Sequence, residues 1–153
     1  MTRLFATLAA CLCLAAPAMA SAQTLRPVYL SRFAMFLDLG SVERDGDLAR
    51  LRYLMVLEAA PAQEDSFWGG WVGMTLDCRA RTADQTGFTS IRTGGREGPP
   101  TADTQPGWPI APGSVEAALA AAACDGLRPL DRPDAIDVEE AVRLGRQWLA
   151  ETP

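Results

Sequence analysis

The sequence predicts an α+β fold: a small antiparallel β-sheet, an alanine-rich helix disulfide-linked to it, and a second, amphipathic helix at the C-terminal end. Three observations lead there. A hairpin pattern runs from 33 to 59 and apolar residues alternate with period two from 72 to 78, an apolar stripe of helical period runs from 138 to 149, and two cysteines stand at the end of a strand and the end of a helix.

After a short lead containing Pro27, Phe33 to Ala59 reads as a β-hairpin about Asp45-Gly46, the dipeptide that best accepts the positive φ angles of a type I′ turn. Pairing mirrored about that dipeptide puts Phe36, Asp38, Val42, Leu51, Tyr53, Met55 and Leu57 on one face, with Asp38 opposite Tyr53. Met35, Leu37, Leu39, Leu54 and Val56 fall on the other. Away from the tip both faces are apolar, so a helix is expected on one and a second helix or another subunit on the other.

Ala60 to Ser66 reads as a polar linker. A third strand is expected from Trp71 to Arg81, with Val72, Met74, Leu76 and Cys78 inward. Thr82 to Gln85 are expected to turn the chain into a short fourth strand, Gly87 to Thr93. The Gly- and Pro-rich stretch Gly94 to Gly113 reads as a long loop in which Trp108-Pro109-Ile110 docks. Ser114 can cap a helix from Val115 to Cys124, ended by Asp125-Gly126. Asp137 caps the second helix and Glu140 completes a capping box. Val138, Ala141, Val142, Gly145, Trp148 and Leu149 form its apolar stripe, opposite Glu139, Arg143, Arg146 and Gln147.

The first 22 residues read as an export leader. Arg3 precedes an apolar run from Leu4 to Ala16, and Pro17 to Ala22 offers small-residue cleavage sites after Ala20 or Ala22. Leu8-Ala9-Ala10-Cys11 also has the form of a lipoprotein processing box, with Cys11 as the lipidated residue. The apolar run is shorter than the roughly 20 residues that span a bilayer, and no later stretch is a candidate membrane helix. The expected product is a single domain over 23–153, with its core at about 33–126 and a helical extension over 127–153. It resides in the periplasm, at the cell surface or in the medium.

Loss of the leader leaves Cys78 and Cys124 in an oxidising compartment, where they have one pairing. A metal site or a redox pair is the alternative, and neither a Cys-x-x-Cys nor a histidine supports it. A Cys78–Cys124 bridge would stabilise the fold by roughly 4 kcal/mol in the chain-entropy picture.

The chain contains no histidine, no lysine and no asparagine, and its net charge is −5. This excludes Ser-His-Asp and Cys-His catalysis, ordinary zinc sites, Schiff-base chemistry and the P-loop, and it disfavours nucleic acid as a partner. No cofactor is implied. Carboxylate-only glycoside hydrolysis and calcium binding by oxygen ligands stay open, with Asp38, Glu58 and Asp77 as the strand-borne acids. Trp68 and Trp71 beside Gly69-Gly70 can form a platform for sugars or aromatic ligands, or fill the core; Trp108 is the third candidate contact. Arg50, Arg52, Arg79 and Arg81 alternate on expected strands and read either as an ion-paired stripe or as an anion site.

Leu76-Asp77-Cys78-Arg79, then Trp108-Pro109-Ile110-Ala111-Pro112-Gly113-Ser114, then the alanine-rich Val115 to Cys124 follow a leader and a hairpin in that order. This organisation resembles the surface-adhesin protein E-like family of bacterial exported proteins, over roughly Phe33 to Gly126. The resemblance implies an antiparallel sheet with a helix tied to it by a disulfide, a dimer in the best-known member and, in that member, adhesion to host extracellular-matrix proteins. It carries over the Cys78–Cys124 bridge and no ligand-binding residue. The function expected is therefore non-catalytic binding of a protein or glycan partner, with self-association as a homodimer. A ligand module built on Trp68 and Trp71 and a carboxylate-only glycan hydrolase are the alternatives.

Overall fold

The computed structural model describes residues 23–59 and 67–152; the leader expected over 1–22 and the linker expected over 60–66 lie outside the described residues. In chain order the strands are β1 (Leu25–Leu30), β2 (Phe33–Asp38), β3 (Glu43–Asp45), β4 (Leu48–Leu57), β5 (Phe67–Asp77), β6 (Thr82–Arg92), β7 (Arg96–Glu97), β8 (Thr101–Ala102) and β9 (Trp108–Pro109), followed by α1 (Val115–Ala123) and α2 (Val138–Glu151). They form one antiparallel sheet in the order β1-β2-β4-β5-β6-β7, with β3 against β4 and both β8 and β9 against β6. The α+β architecture with a helix bridged to the sheet is thus the observed one.

Both faces of the central strands are apolar, and each has its own helix. On one face Ala34, Phe36, Leu54, Val56, Trp71 and Ile91 pack with Ala141, Val142, Trp148 and Leu149 of α2. The Phe36 and Trp148 rings stack at 5.6 Å. Gly145 lets α2 settle onto the sheet, since a Cβ there would lie 3.1 Å from Ala34 Cβ and from Val56 Cγ1. On the other face Met35, Leu37, Leu51, Tyr53, Met74 and Leu76 pack with Leu119 and Ala120 of α1.

The two helices are held by different means. Asp137 caps α2 by accepting from the Glu140 N–H at 2.7 Å, and Glu140 reaches back to the Ile136 N–H at 3.0 Å; a full apolar stripe then supplies the packing. Ser114 caps α1, accepting from the Ala117 N–H at 3.2 Å, but of the residues in α1 only Leu119 and Ala120 are buried. A Cys78–Cys124 disulfide with a Cα–Cα distance of 5.6 Å joins its end to the end of β5. Arg44 adds a hydrogen bond from Nη1 to the Ala123 carbonyl, 3.1 Å away.

Several local expectations are corrected. The hairpin turns on Gly46-Asp47, with Asp45 paired to Leu48, one residue later than expected. A 3-10 turn at Leu39–Ser41 then inserts residues, so that Phe36 pairs with Leu54 and Leu37 with Tyr53. Each face consequently differs by one strand's set from the mirrored pairing: Phe36 joins Leu54 and Val56, and Leu37 joins Leu51 and Tyr53. Asp38 lies opposite Leu25 of β1, not Tyr53. The cause is local, since Asp38 Oδ1 accepts from the Gly40 N–H at 3.1 Å and the Ser41 hydroxyl bonds both the Asp38 carbonyl and the Arg52 N–H.

The expected lead is instead the edge strand β1. Leu25 N–H and C=O bond Ala135 on the outer side, so by strand alternation the missing N–H of Pro27 also falls on that free edge, where it costs no ladder bond. The third strand ends at Asp77, whose side chain accepts from the N–H groups of Arg79 and Ala80; Arg81 takes φ +56. Arg79 and Arg81 therefore lie in a turn. β6 begins at Thr82, where a turn was expected, and the expected loop supplies β7, β8 and β9, three short pieces that cover its outer edge.

Replacing both Cys78 and Cys124 by Ala is expected to lower unfolding stability by about 3–4 kcal/mol in urea titrations, with amide exchange in α1 rising before that in α2. Tyr53 lies beneath α1, and burial first, then the charge of Glu116, push its phenol well above the ordinary value of 10.0. A proton held more tightly by the folded state contributes stability that is complete below pH 10 and is lost as the pH rises further. Denaturation midpoints are expected to fall above that pH, with a shallower fall in Tyr53→Phe.

Candidate functional site

Strict alternation along β5 would place Trp68 and Trp71 on opposite faces. A bulge between Phe67 and Gly69 makes Trp68 an extra residue, so its side chain joins Trp71 on the α2 side. Gly69 is what permits the bulge: its φ is +143, and a Cβ there would lie 1.8 Å from the Met55 carbonyl oxygen.

The two indoles nevertheless have different surroundings. Trp71 is buried, with its Nε1–H donating to Glu97 Oε1 at 2.9 Å and the Arg52 guanidinium 4.3 Å above its ring. Trp68 is half-buried and borders an open groove of about 750 Å³ whose walls include Ile136, Glu140, Val142, Arg143 and Arg146. Trp108 packs on the α1 face, so the sheet separates it from the other two.

Arg146 is the informative neighbour. Its guanidinium lies 5.9 Å from the Trp68 ring centroid, and Nε makes one long bond of 3.4 Å to the Leu57 carbonyl. Nη2 is shut off from solvent and has no hydrogen-bond acceptor among the described residues. Burial accordingly holds its pKa below the usual arginine value. On its other side Arg146 walls a recess of about 300 Å³ shared with Glu58, Ala59 and Leu149. The helical period places Arg146 on the polar face of α2, and nothing in that pattern signals its burial. Ile136, directly before the cap, does not close back onto the helix and is 69 % exposed at the groove's rim.

Two of the three strand-borne acids, Asp38 and Asp77, are spent on structure, and Glu58 lines the recess beside Arg146. Asp38 is buried, with Oδ2 receiving Arg52 Nε and Nη2 at 2.9 Å each and Gln23 Nε2 at 3.1 Å. Asp77 holds the turn after β5. Asp38 is level with Arg52 and Asp77 pairs with Leu48, four residues along β4 and two strands across. Standard strand spacings put them roughly 16 Å apart, outside the roughly 5–9.5 Å of a glycosidase pair. The arginine stripe also dissolves: Arg52 meets Asp38, Arg79 lies 3.9 Å from Asp47, and Arg81 lies 3.3 Å from Asp125. Among the described residues no group of three or more Cys, Asp or Glu converges as a metal site, and no helix is long and apolar enough to cross a membrane.

Gly69→Ala is expected to destabilise by on the order of 2–4 kcal/mol, because the new methyl collides with backbone, and to shift the tryptophan emission as Trp68 is displaced; thermal melts and fluorescence check both.

No family model matches the chain, and no curated protein sequence matches it. Two solved structures of Haemophilus influenzae protein E are similar to it. One, a second crystal form, has a TM-score of 0.50 at 15% identity and covers 76% of this chain and 98% of its own; the other has the same score and identity, covering 78% and 96%. The chain has a protein E-like fold.

Proposed function

We propose that this chain is an exported, non-catalytic protein of the periplasm or cell surface that works by binding, with an adhesin-like or envelope-associated role and self-association as a homodimer. The observation that carries the binding role is the distribution of polar groups. The strand-borne acids Asp38 and Asp77 are committed to structural hydrogen bonds, whereas the open groove presents an indole, an exposed isoleucine and two arginines. The groove's own acids lie at the start of α2, where Asp137 and Glu140 are held in the helix cap, so the groove suits recognition.

Export is supported by the leader pattern and by the disulfide, a bond that persists in oxidising compartments. The adhesin-like role rests on the resemblance to the surface-adhesin protein E-like family. Self-association rests on the same resemblance and on half-buried rings on the α1 side, where Tyr29 and Phe33 lie 6.0 Å apart and Phe67 and Phe88 6.4 Å apart.

Expression of the full chain in a bacterial host is expected to give an envelope-fraction product lacking residues 1–20 or 1–22, without free thiols by intact mass, and dimeric by light scattering. An uncleaved cytoplasmic product with free sulfhydryls overturns export, a strict monomer removes self-association, and glycan turnover abolished by Asp38→Ala or Asp77→Ala replaces binding with catalysis.

A further inference from the structure

We infer that the groove between Trp68 and α2 is a site for a carboxylate carried on an apolar or aromatic body, with Arg146 taking the carboxylate and Trp68 the body. This rests on the binding role proposed above and adds a ligand class to it.

The first ground is an unmet donor. Arg146 Nη2 is out of solvent without an acceptor among the described residues, and its Nε has one long bond to the Leu57 carbonyl. A buried charged donor left unpaired is costly to the fold, and cores seldom keep one without a use for it. Among the described residues no carboxylate pairs with Arg146, whereas Arg143, one turn earlier, has Glu140 at 3.4 Å. Arg146 also lines the groove, and a guanidinium with no carboxylate partner among the described residues matches a carboxylate in charge.

The second ground is the lining. Trp68 and Val142 form an apolar wall beside that cation, and the exposed Ile136 stands at the far rim of the groove. The acids Asp137, Glu139 and Glu140 sit at the opposite, N-terminal end of α2. With 1.5 Å of rise per residue, Asp137 and Arg146 are roughly 13 Å apart along the helix. The groove is therefore polarised: an anion is favoured at the Arg146 end and repelled at the other, which orients the ligand with its charged tip toward the C-terminal half of α2. A volume of about 750 Å³ accommodates a small aryl or alkyl acid or the last residue of a peptide chain.

The test uses the purified, disulfide-intact protein and two matched pairs of probes: 3-phenylpropionate against 3-phenylpropionamide, and an acetylated tripeptide ending in Phe against its C-terminal amide. Nitrogen-15 NMR titration of the unmodified protein is expected to show saturable shifts of the Trp68 indole and Arg146 Nε signals with the carboxylates, and at least tenfold weaker binding of the amides. Comparison of the two acids tells a free organic acid from a peptide terminus. Arg146→Gln is expected to remove the tenfold preference while leaving amide binding and the melting temperature unreduced. Equal affinity for acid and amide, shifts centred away from the groove, or no saturable shift with any probe overturns the inference. A crosslinked envelope partner found together with an inert groove removes this ligand class and leaves the binding role standing; loss of both removes both.

Discussion

The hairpin strands β2 and β4 carry apolar side chains on both faces, and that constraint organises the rest of the molecule. A sheet hydrophobic on one side can float its other side in water; this one cannot, so the chain must supply two covers. It does so with helices of unlike quality. α2 holds its face through Trp148, Val142 and Leu149, drawn close by the missing side chain of Gly145. The alanines of α1 let its backbone approach but bury little area, and the covalent link from Cys124 to Cys78 compensates for the packing they lack.

The same economy governs the sheet's edges. β1 carries Pro27 and a bulge, and its outer carbonyl and N–H at Leu25 are taken by Ala135. The Pro- and Gly-rich stretch after β6 supplies three two-residue strands in place of one long one. Both arrangements leave no long flat run of free backbone groups for a second sheet to join. Polar groups inside the sheet are likewise chained: Asp38 to Arg52, Arg52 over Trp71, and Trp71 to Glu97, a line that links β2, β4, β5 and β7 and accounts for the buried carboxylate without catalysis. Arg146 has no carboxylate partner among the described residues, and that is what marks the groove beside it.

What was legible in the sequence was what local chemistry decides. Ser114 and Asp137 cap the helices they were expected to cap, because a side-chain oxygen beside unpaired N–H groups needs no distant partner. The two cysteines among the described residues admit one bridge. The helical stripe from Val138 to Leu149 and the inward set Val72, Met74 and Leu76 lie where their periods place them. The edge strand β1 was hidden by Pro27, a strand-breaker everywhere except on a free edge, and the start of β6 by Thr, Asp and Gln residues that an exposed strand tolerates.

The sequence by itself determined the α+β class, the two helices with their caps, the pairing of the cysteines and the need to cover a two-faced sheet, since each follows from side-chain chemistry within a few residues or from a simple count. Only the tertiary structure decided the hairpin register, which a three-residue turn stitched by Asp38 and Ser41 resets, and the side on which Trp68 emerges, which a bulge reverses. It alone decided the surroundings of Arg146, because a charge on the polar face of a helix is solvated or covered according to what a distant strand and its bulge place next to it.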